Sequence, residues 1–227
     1  MPQDLEILNT ELHRETRMHP TVGIHPHCVP VMLGELSEAA TICPLFFVKD
    51  GETGRFNLMA LFGFRPGELL AEGADTGQSL FIPLEIVRQG FYAVDDNIAI
   101  DRADPRFAPG GTIPLFDPMG EPTAETRLIQ RTIGTLIAAR AATRDFIDTM
   151  VKHRLVESID ISLSFDDGET FTFEGLYTIS LDAMNELDDS QIITLYRSGY
   201  LAAALCIQRS RHQMSVLAGR RNNALAA

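Results

Sequence analysis

Residues Thr123–Leu155 read TAETRLIQRTIGTLIAARAATRDFIDTMVKHRL. Apolar side chains recur there at Ile129, Ile133, Leu136 and Ile137, then at Ile147, Met150 and Val151. Three-to-four spacing puts such residues on one helix face, so the stretch predicts one long helix or two helices bent near Thr143. Thr123 stands where a cap belongs, and Glu125 places a negative charge in the first turn, where free N–H groups favour it. At 1.5 Å per residue, one continuous helix runs about 45 Å.

Upstream of Pro122 the period changes. Pro44–Val48 and Arg55–Gly63 flank a turn at Lys49-Asp50-Gly51, and Phe91–Val94 and Asn97–Asp101 flank Asp95-Asp96. Short apolar runs joined by polar turns predict antiparallel hairpins. Val29–Leu33 and Ile113–Phe116 read as further strands. Glu35–Thr41 and Pro83–Gln89 read as short helices, the second with Pro in its first turn and Gly90 beyond its end. Leu5, Leu8 and Leu12 have helical spacing, ended by His19-Pro20 and Gly23.

Downstream of the long helix, Ile159–Phe165 and Thr170–Leu176 bracket Asp166-Asp167-Gly168, a second hairpin signal. A short helix follows from Leu181, then a helical stretch Ser190–Leu217 divided at Gly199. The predicted fold is α+β. A β-rich part over residues 25–122, made of antiparallel hairpins with short helices, precedes a mainly helical part over residues 123–227 that contains the second hairpin. Residues 25–227 are expected to form one domain, preceded by an arm over residues 1–24.

Charge is unevenly spread. The chain of 227 residues carries −12, yet Ser190–Ala227 has no Asp or Glu and five arginines: Arg197, Arg209, Arg211, Arg220 and Arg221. Subtracting that +5 leaves −17 on Met1–Asp189. Such segregation marks an internal electrostatic seam or a surface kept for a partner. Arg209, Arg211 and Arg220 are the candidate partner surface, and the terminal helix is the expected support of a homodimer. Leu201, Leu205 and Val216 give it apolar positions. A strongly acidic chain is a poor ligand for nucleic acid. No run of about 18 uncharged apolar residues is present, so no transmembrane segment is expected. Met1–Arg17 has no apolar core of a signal peptide, which makes the cytoplasm the expected location. Cys28, Cys43 and Cys206 lack CxxC spacing and read as free thiols.

Candidate chemistry is sparse. His13, His19, His25, His27 and Cys28 concentrate imidazole and thiol groups, and His25, His27 and Cys28 are the candidate ligands for Zn or Fe. The simpler alternative is surface histidines and no cofactor. Phe64, Phe81 and Phe91 flank loops and are the candidate lining of an apolar ligand groove. G-x-S-x-G, P-loop and G-x-G-x-x-G motifs are missing. No residue pattern names a reaction.

Several blocks occur in a characteristic order. His27 precedes Val29-Pro30-Val31, Glu35, Ala39-Ala40 and Pro44-Leu45-Phe46-Phe47. Leu58, Leu61, Phe62 and Gly63 follow, then Phe81-Ile82-Pro83, then Leu115-Phe116-Asp117 with Gly120 and Pro122. The end shows Phe173-x-Gly175-Leu176-Tyr177, Leu195 with Gly199, and His212 with Ser215-Val216. From His25 onward the chain resembles the bacterial SapC-like family, named after a surface-layer locus. It departs from the family at Arg88-Gln89-Gly90-Phe91, where members commonly show Arg-Tyr-Pro-Phe, and in having no Trp before Phe81. The resemblance implies an accessory or binding protein of unknown ligand, linked to outer-membrane receptor uptake or to modification of proteins or metabolites. It also implies halogenase-like or cupin-like protein partners. A metal- or oxygen-dependent enzyme, or a subunit of one, is the alternative. The family has no agreed catalytic residues to transfer.

Overall fold

The computed structural model describes residues 4–20, 26–71 and 81–226. In chain order its elements are β1 (Leu5–Ile7), α1 (Thr10–His13), β2 (Arg17–Met18), β3 (Cys28–Pro30), α2 (Leu36–Ala39), β4 (Leu45–Lys49), β5 (Phe56–Leu61) and α3 (Leu84–Val87). There follow β6 (Phe91–Val94), β7 (Asn97–Asp101), β8 (Ile113–Pro114), α4 (Ala124–Lys152), β9 (Val156–Ser164) and β10 (Thr170–Ile179). The chain ends with α5 (Leu181–Asn185), α6 (Asp189–Arg197), α7 (Tyr200–Ser210) and α8 (His212–Leu225). Every pairing in its sheets is antiparallel, and the long helices come late. The fold is α+β, as the change of period at Thr123 predicts. No helix among the described residues is long and apolar enough to cross a membrane.

The chain divides into two compact units. The first comprises Met1–His25 and Leu84–Ala138. It holds a three-stranded sheet in the order β1-β7-β6 and the two-stranded pair β2-β8. The β6–β7 hairpin has the predicted limits, with Asp95 at φ +50° in its turn. Met18, Phe91, Ile100, Phe107, Leu115, Phe116, Ile129 and Ile133 form the core, with Leu8 packed against it. Residues Leu5–Ile7 make a strand on β7 instead of the helix their spacing predicts. The helix begins only after Asn9, whose side chain accepts a 2.8 Å bond from the N–H of Leu12. Asn is a strong helix cap, and its presence ends the strand.

The second unit comprises Pro26–Pro83 and Ala139–Ala227. Its five-stranded sheet has the order β3-β5-β4-β10-β9. Central β4 buries Leu45, Phe46 and Phe47 in succession, so both its faces are covered. Phe47 stacks on Phe146 of α4 at 6.3 Å between ring centroids, and Phe146 meets Tyr200 edge-on at 5.4 Å. Burial of large rings on both sides explains why β4 reads as a continuous apolar run and not as an alternation. The N–H of Leu45 donates to the buried Ser210 hydroxyl at 2.9 Å, fixing α7 against the sheet.

Of the alternatives for Thr123–Leu155, one unbroken helix of 29 residues is observed. Thr143 does not bend it, for its hydroxyl donates back to Ala139 O at 2.9 Å within the helix and accepts the N–H of Leu33 at 3.0 Å. Gly199, at φ +77°, does separate α6 from α7; only glycine takes this backbone without strain. A second break at Arg211 was not legible. Three of the apolar helix positions are exposed and not buried: Ile137 at 51%, Val151 at 43% and Leu205 at 36%. The buried row of the terminal helices is Ala204, Ile207, Ser210, Met214 and Leu217. Ile207→Ala is therefore expected to cost about 2–5 kcal/mol, the range for a fully enclosed Ile, and Leu205→Ala less than about 1.5 kcal/mol. Urea unfolding of the two variants checks the order.

Candidate functional site

The sequence-nominated residues are distributed over both units. His25 lies outside the described residues. His27 contributes its carbonyl, which accepts from the N–H of Phe62 at 2.7 Å, and Cys28 opens β3. His13 is buried, with Nε2 3.0 Å from Glu6 Oε2, and His19 Nε2 lies 3.2 Å from Ala108 O. Among the described residues, no group of three or more His, Cys, Asp and Glu side chains gathers as a metal site would require. Phe91 is enclosed in the first unit by Phe107 and by the guanidinium of Arg106. Burial lowers Arg106 to about 10, still protonated at neutral pH. In the second unit Phe81 stacks on Phe62, while Phe64 joins Phe165, Phe171 and Phe173. Arg209 and Arg211 are exposed, and Arg220 donates to the carbonyls of Leu70 and Ala71 at 2.8 and 2.9 Å.

Beside Arg220 stands Arg221, which sequence reasoning passed over. Its side chain is 5% exposed and meets three carboxylates: Nη2 lies 3.0 Å from Asp167 and 2.5 Å from Glu169, and Nε 3.6 Å from Glu68. The guanidinium also lies 4.2 Å from the Phe165 ring centre and 4.8 Å from that of Phe171. Carboxylates and ring faces together offset the desolvation of a buried cation. Arg65 extends the cluster by pairing with Glu169 and lying 5.1 Å from Phe171. Gly63 lets the 62–71 loop close on itself, since a Cβ there would come 2.1 Å from the carbonyl oxygen of Glu68. Glu68 then accepts the N–H of Phe64 at 2.7 Å. The signal was present in the sequence: Met214, Leu217 and Arg221 follow helical spacing, and all three are buried.

Two open clefts lie in the first unit, and a third, of about 420 Å3 and bordered by Arg140 and Arg144, lies in the second. Arg14, Glu15, Arg17, Pro114, Phe116, Asp117, Pro118 and Thr123 line a cleft of about 520 Å3. Glu15 and Arg17 also line an adjoining cleft of about 450 Å3, with Arg102 and Phe107. Arg14, Arg17 and Arg102 are exposed, and none has a carboxylate within ion-pair distance among the described residues. Each donates one bond to a neutral acceptor: Arg14 to Pro118 O at 3.3 Å, Arg17 to Thr112 O at 3.2 Å, and Arg102 to the Thr16 hydroxyl at 3.4 Å. A guanidinium has five N–H donors, so most of each fork stays free. Asp117 is committed to its own loop, accepting the N–H groups of Met119 and Glu121 at 2.9 Å each. The walls contributed by Phe116 and Phe107 are apolar. Fold, not sequence proximity, joins Arg102 to Arg14 and Arg17.

Two outcomes follow from this geometry. Arg221→Ala is expected to destabilise by about 1–3 kcal/mol, since the freed carboxylates are partly hydrated and the loss is mainly ring contact and charge-assisted bonding. Arg221→Lys does not restore it, because a point ammonium cannot span three carboxylates and two rings; chemical denaturation measures both. Burial pushes the Cys28 thiol up to about 11 and the Cys43 thiol up to about 12. The folded state then holds thiol protons more tightly than the unfolded chain. Stability is full below about pH 9 and falls as pH rises through 9 to 11. A Cys28→Ser, Cys43→Ala variant is expected to lose less stability over that window, by denaturation at fixed pH values.

No curated protein and no solved structure matches the chain. The model of the SapC family matches residues 8–217, and the chain belongs to the SapC family.

Proposed function

We propose that this SapC-family chain is a binding protein with an accessory role, and that it takes a small anionic molecule, a carboxylate or a phosphate, in the arginine-lined clefts of its first unit. The supporting observation is the set Arg14, Arg17 and Arg102, exposed and without carboxylate partners among the described residues of a chain whose net charge is −12. Arginine forks match planar carboxylate and tetrahedral phosphate oxygens with paired bonds. Apolar walls at Phe107 and Phe116 offer contact to the uncharged body of such a ligand. At physiological ionic strength the Debye length is about 8 Å. The distant negative charge of the chain is then largely screened, and the lining sets the local field, with Arg14, Arg17 and Arg102 against Glu15 and Asp117.

Isothermal calorimetry with citrate and with inorganic phosphate tests the proposal. Binding is expected to weaken as salt rises. Arg17 borders both clefts, and Arg17→Ala is expected to weaken binding at least about tenfold, the value of one charge-assisted bond. Binding to neither probe, or binding that ignores Arg17→Ala, contradicts it.

A further inference from the structure

The cleft of the second unit differs in charge from those of the first. Arg140 and Arg144 border it, four residues apart on α4, a spacing that sets both on one side of the helix. No Asp or Glu lines it, whereas Glu15 and Asp117 stand among the arginines of the first unit. Neither guanidinium has a carboxylate within ion-pair distance among the described residues, Asp148 one turn beyond Arg144 included. Arg140 is exposed and makes no side-chain hydrogen bond among the described residues. Arg144 is half-buried and donates once, from Nη1 to Phe56 O at 3.1 Å. Two like charges one turn apart repel, and here nothing in the lining compensates them.

Most of the remaining lining is apolar, with Val31, Met32, Leu58 and Ile147 among it. Thr143 is also present, but its hydroxyl is spent, donating to Ala139 O at 2.9 Å and accepting the N–H of Leu33 at 3.0 Å. Asn57 remains as the uncharged polar side chain of the lining. A polyhydroxylated or multiply charged ligand would set polar groups against Val31, Leu58 and Ile147 without partners, which costs free energy. We infer that this cleft binds a monocarboxylate with an apolar body, its carboxylate shared by Arg140 and Arg144 and its body against Val31, Met32, Leu58 and Ile147. Arginine forks match carboxylate oxygens with paired bonds, and the anion relieves the repulsion between the two cations. The apolar body leaves water for apolar contact. A volume of about 420 Å3 falls within the range of about 300–1,000 Å3 common to small-molecule sites.

Octanoate is the probe, titrated into the full chain carrying isotope-labelled Met and Ile methyl groups and followed by nuclear magnetic resonance. Met32 and Ile147 line this cleft and neither borders those of the first unit, so their shifts separate this inference from the anion sites proposed above. Saturable shifts at both methyls are expected. Arg140→Gln is expected to weaken octanoate at least about tenfold, the value of one charge-assisted bond. Arg140 is exposed, so circular dichroism of this variant is expected to match the parent. Octanamide, which keeps the body and lacks the charge, and acetate, which keeps the charge and lacks the body, are each expected to bind at least about tenfold more weakly. Citrate, which has no apolar body, is expected to leave both methyls unmoved. Shifts absent from Met32 and Ile147, octanamide or acetate binding as tightly as octanoate, citrate moving the same methyls, or an affinity indifferent to Arg140→Gln overturns the inference.

Discussion

A buried guanidinium ties three segments of the second unit together: the last helix, the loop after β5 and the turn of the β9–β10 hairpin. Arg221 cannot lie at 5% exposure unless carboxylates come to it, because an unpaired charge in an apolar interior costs several kcal/mol. Glu68 comes from the loop after β5, and Asp167 and Glu169 from the turn of the β9–β10 hairpin. One side chain on the last helix therefore fixes two segments distant in sequence. Ring faces of Phe165 and Phe171 complete the enclosure, and Gly63 is the residue that leaves room for Glu68 to turn inward.

This arrangement accounts for part of the charge segregation in the sequence. In the basic tail, Arg221 meets carboxylates supplied by the acidic part of the chain, and Arg220 binds backbone carbonyls of the same loop. The tail thus serves an internal seam at these two positions, while Arg209 and Arg211 face solvent. In the first unit the reverse holds. Arg14, Arg17 and Arg102 sit among many acidic residues of the sequence but have none within ion-pair reach among the described residues. A cation left free beside a cleft is the kind of local imbalance that favours an anionic ligand.

Features that depend on neighbours in sequence were legible. The β6–β7 hairpin follows from two apolar runs about Asp95-Asp96, α4 from its three-to-four spacing, and the break at Gly199 from the cost of glycine in a helix. What was missed is long-range or set by competition. The pairing of Phe47 with Tyr177 joins strands far apart in the chain, and periodicity carries no record of partner choice. Leu5–Ile7 forms a strand because β7 offers an edge and Asn9 caps the helix that follows; the leucine spacing alone favours the other outcome. Arg221 was readable as a continuation of the buried Met214 and Leu217 row. The meeting of Arg102 with Arg17 was not, since only the fold brings them to one cleft.

Hydrogen–deuterium exchange of the full chain, with and without saturating citrate, tests the binding account most directly. The account predicts protection confined to the segments that line the two clefts, residues 14–17, 102–111 and 112–123, with the second unit unchanged. Protection centred instead on the β9–β10 hairpin or the terminal helices, or no protection anywhere, would contradict it.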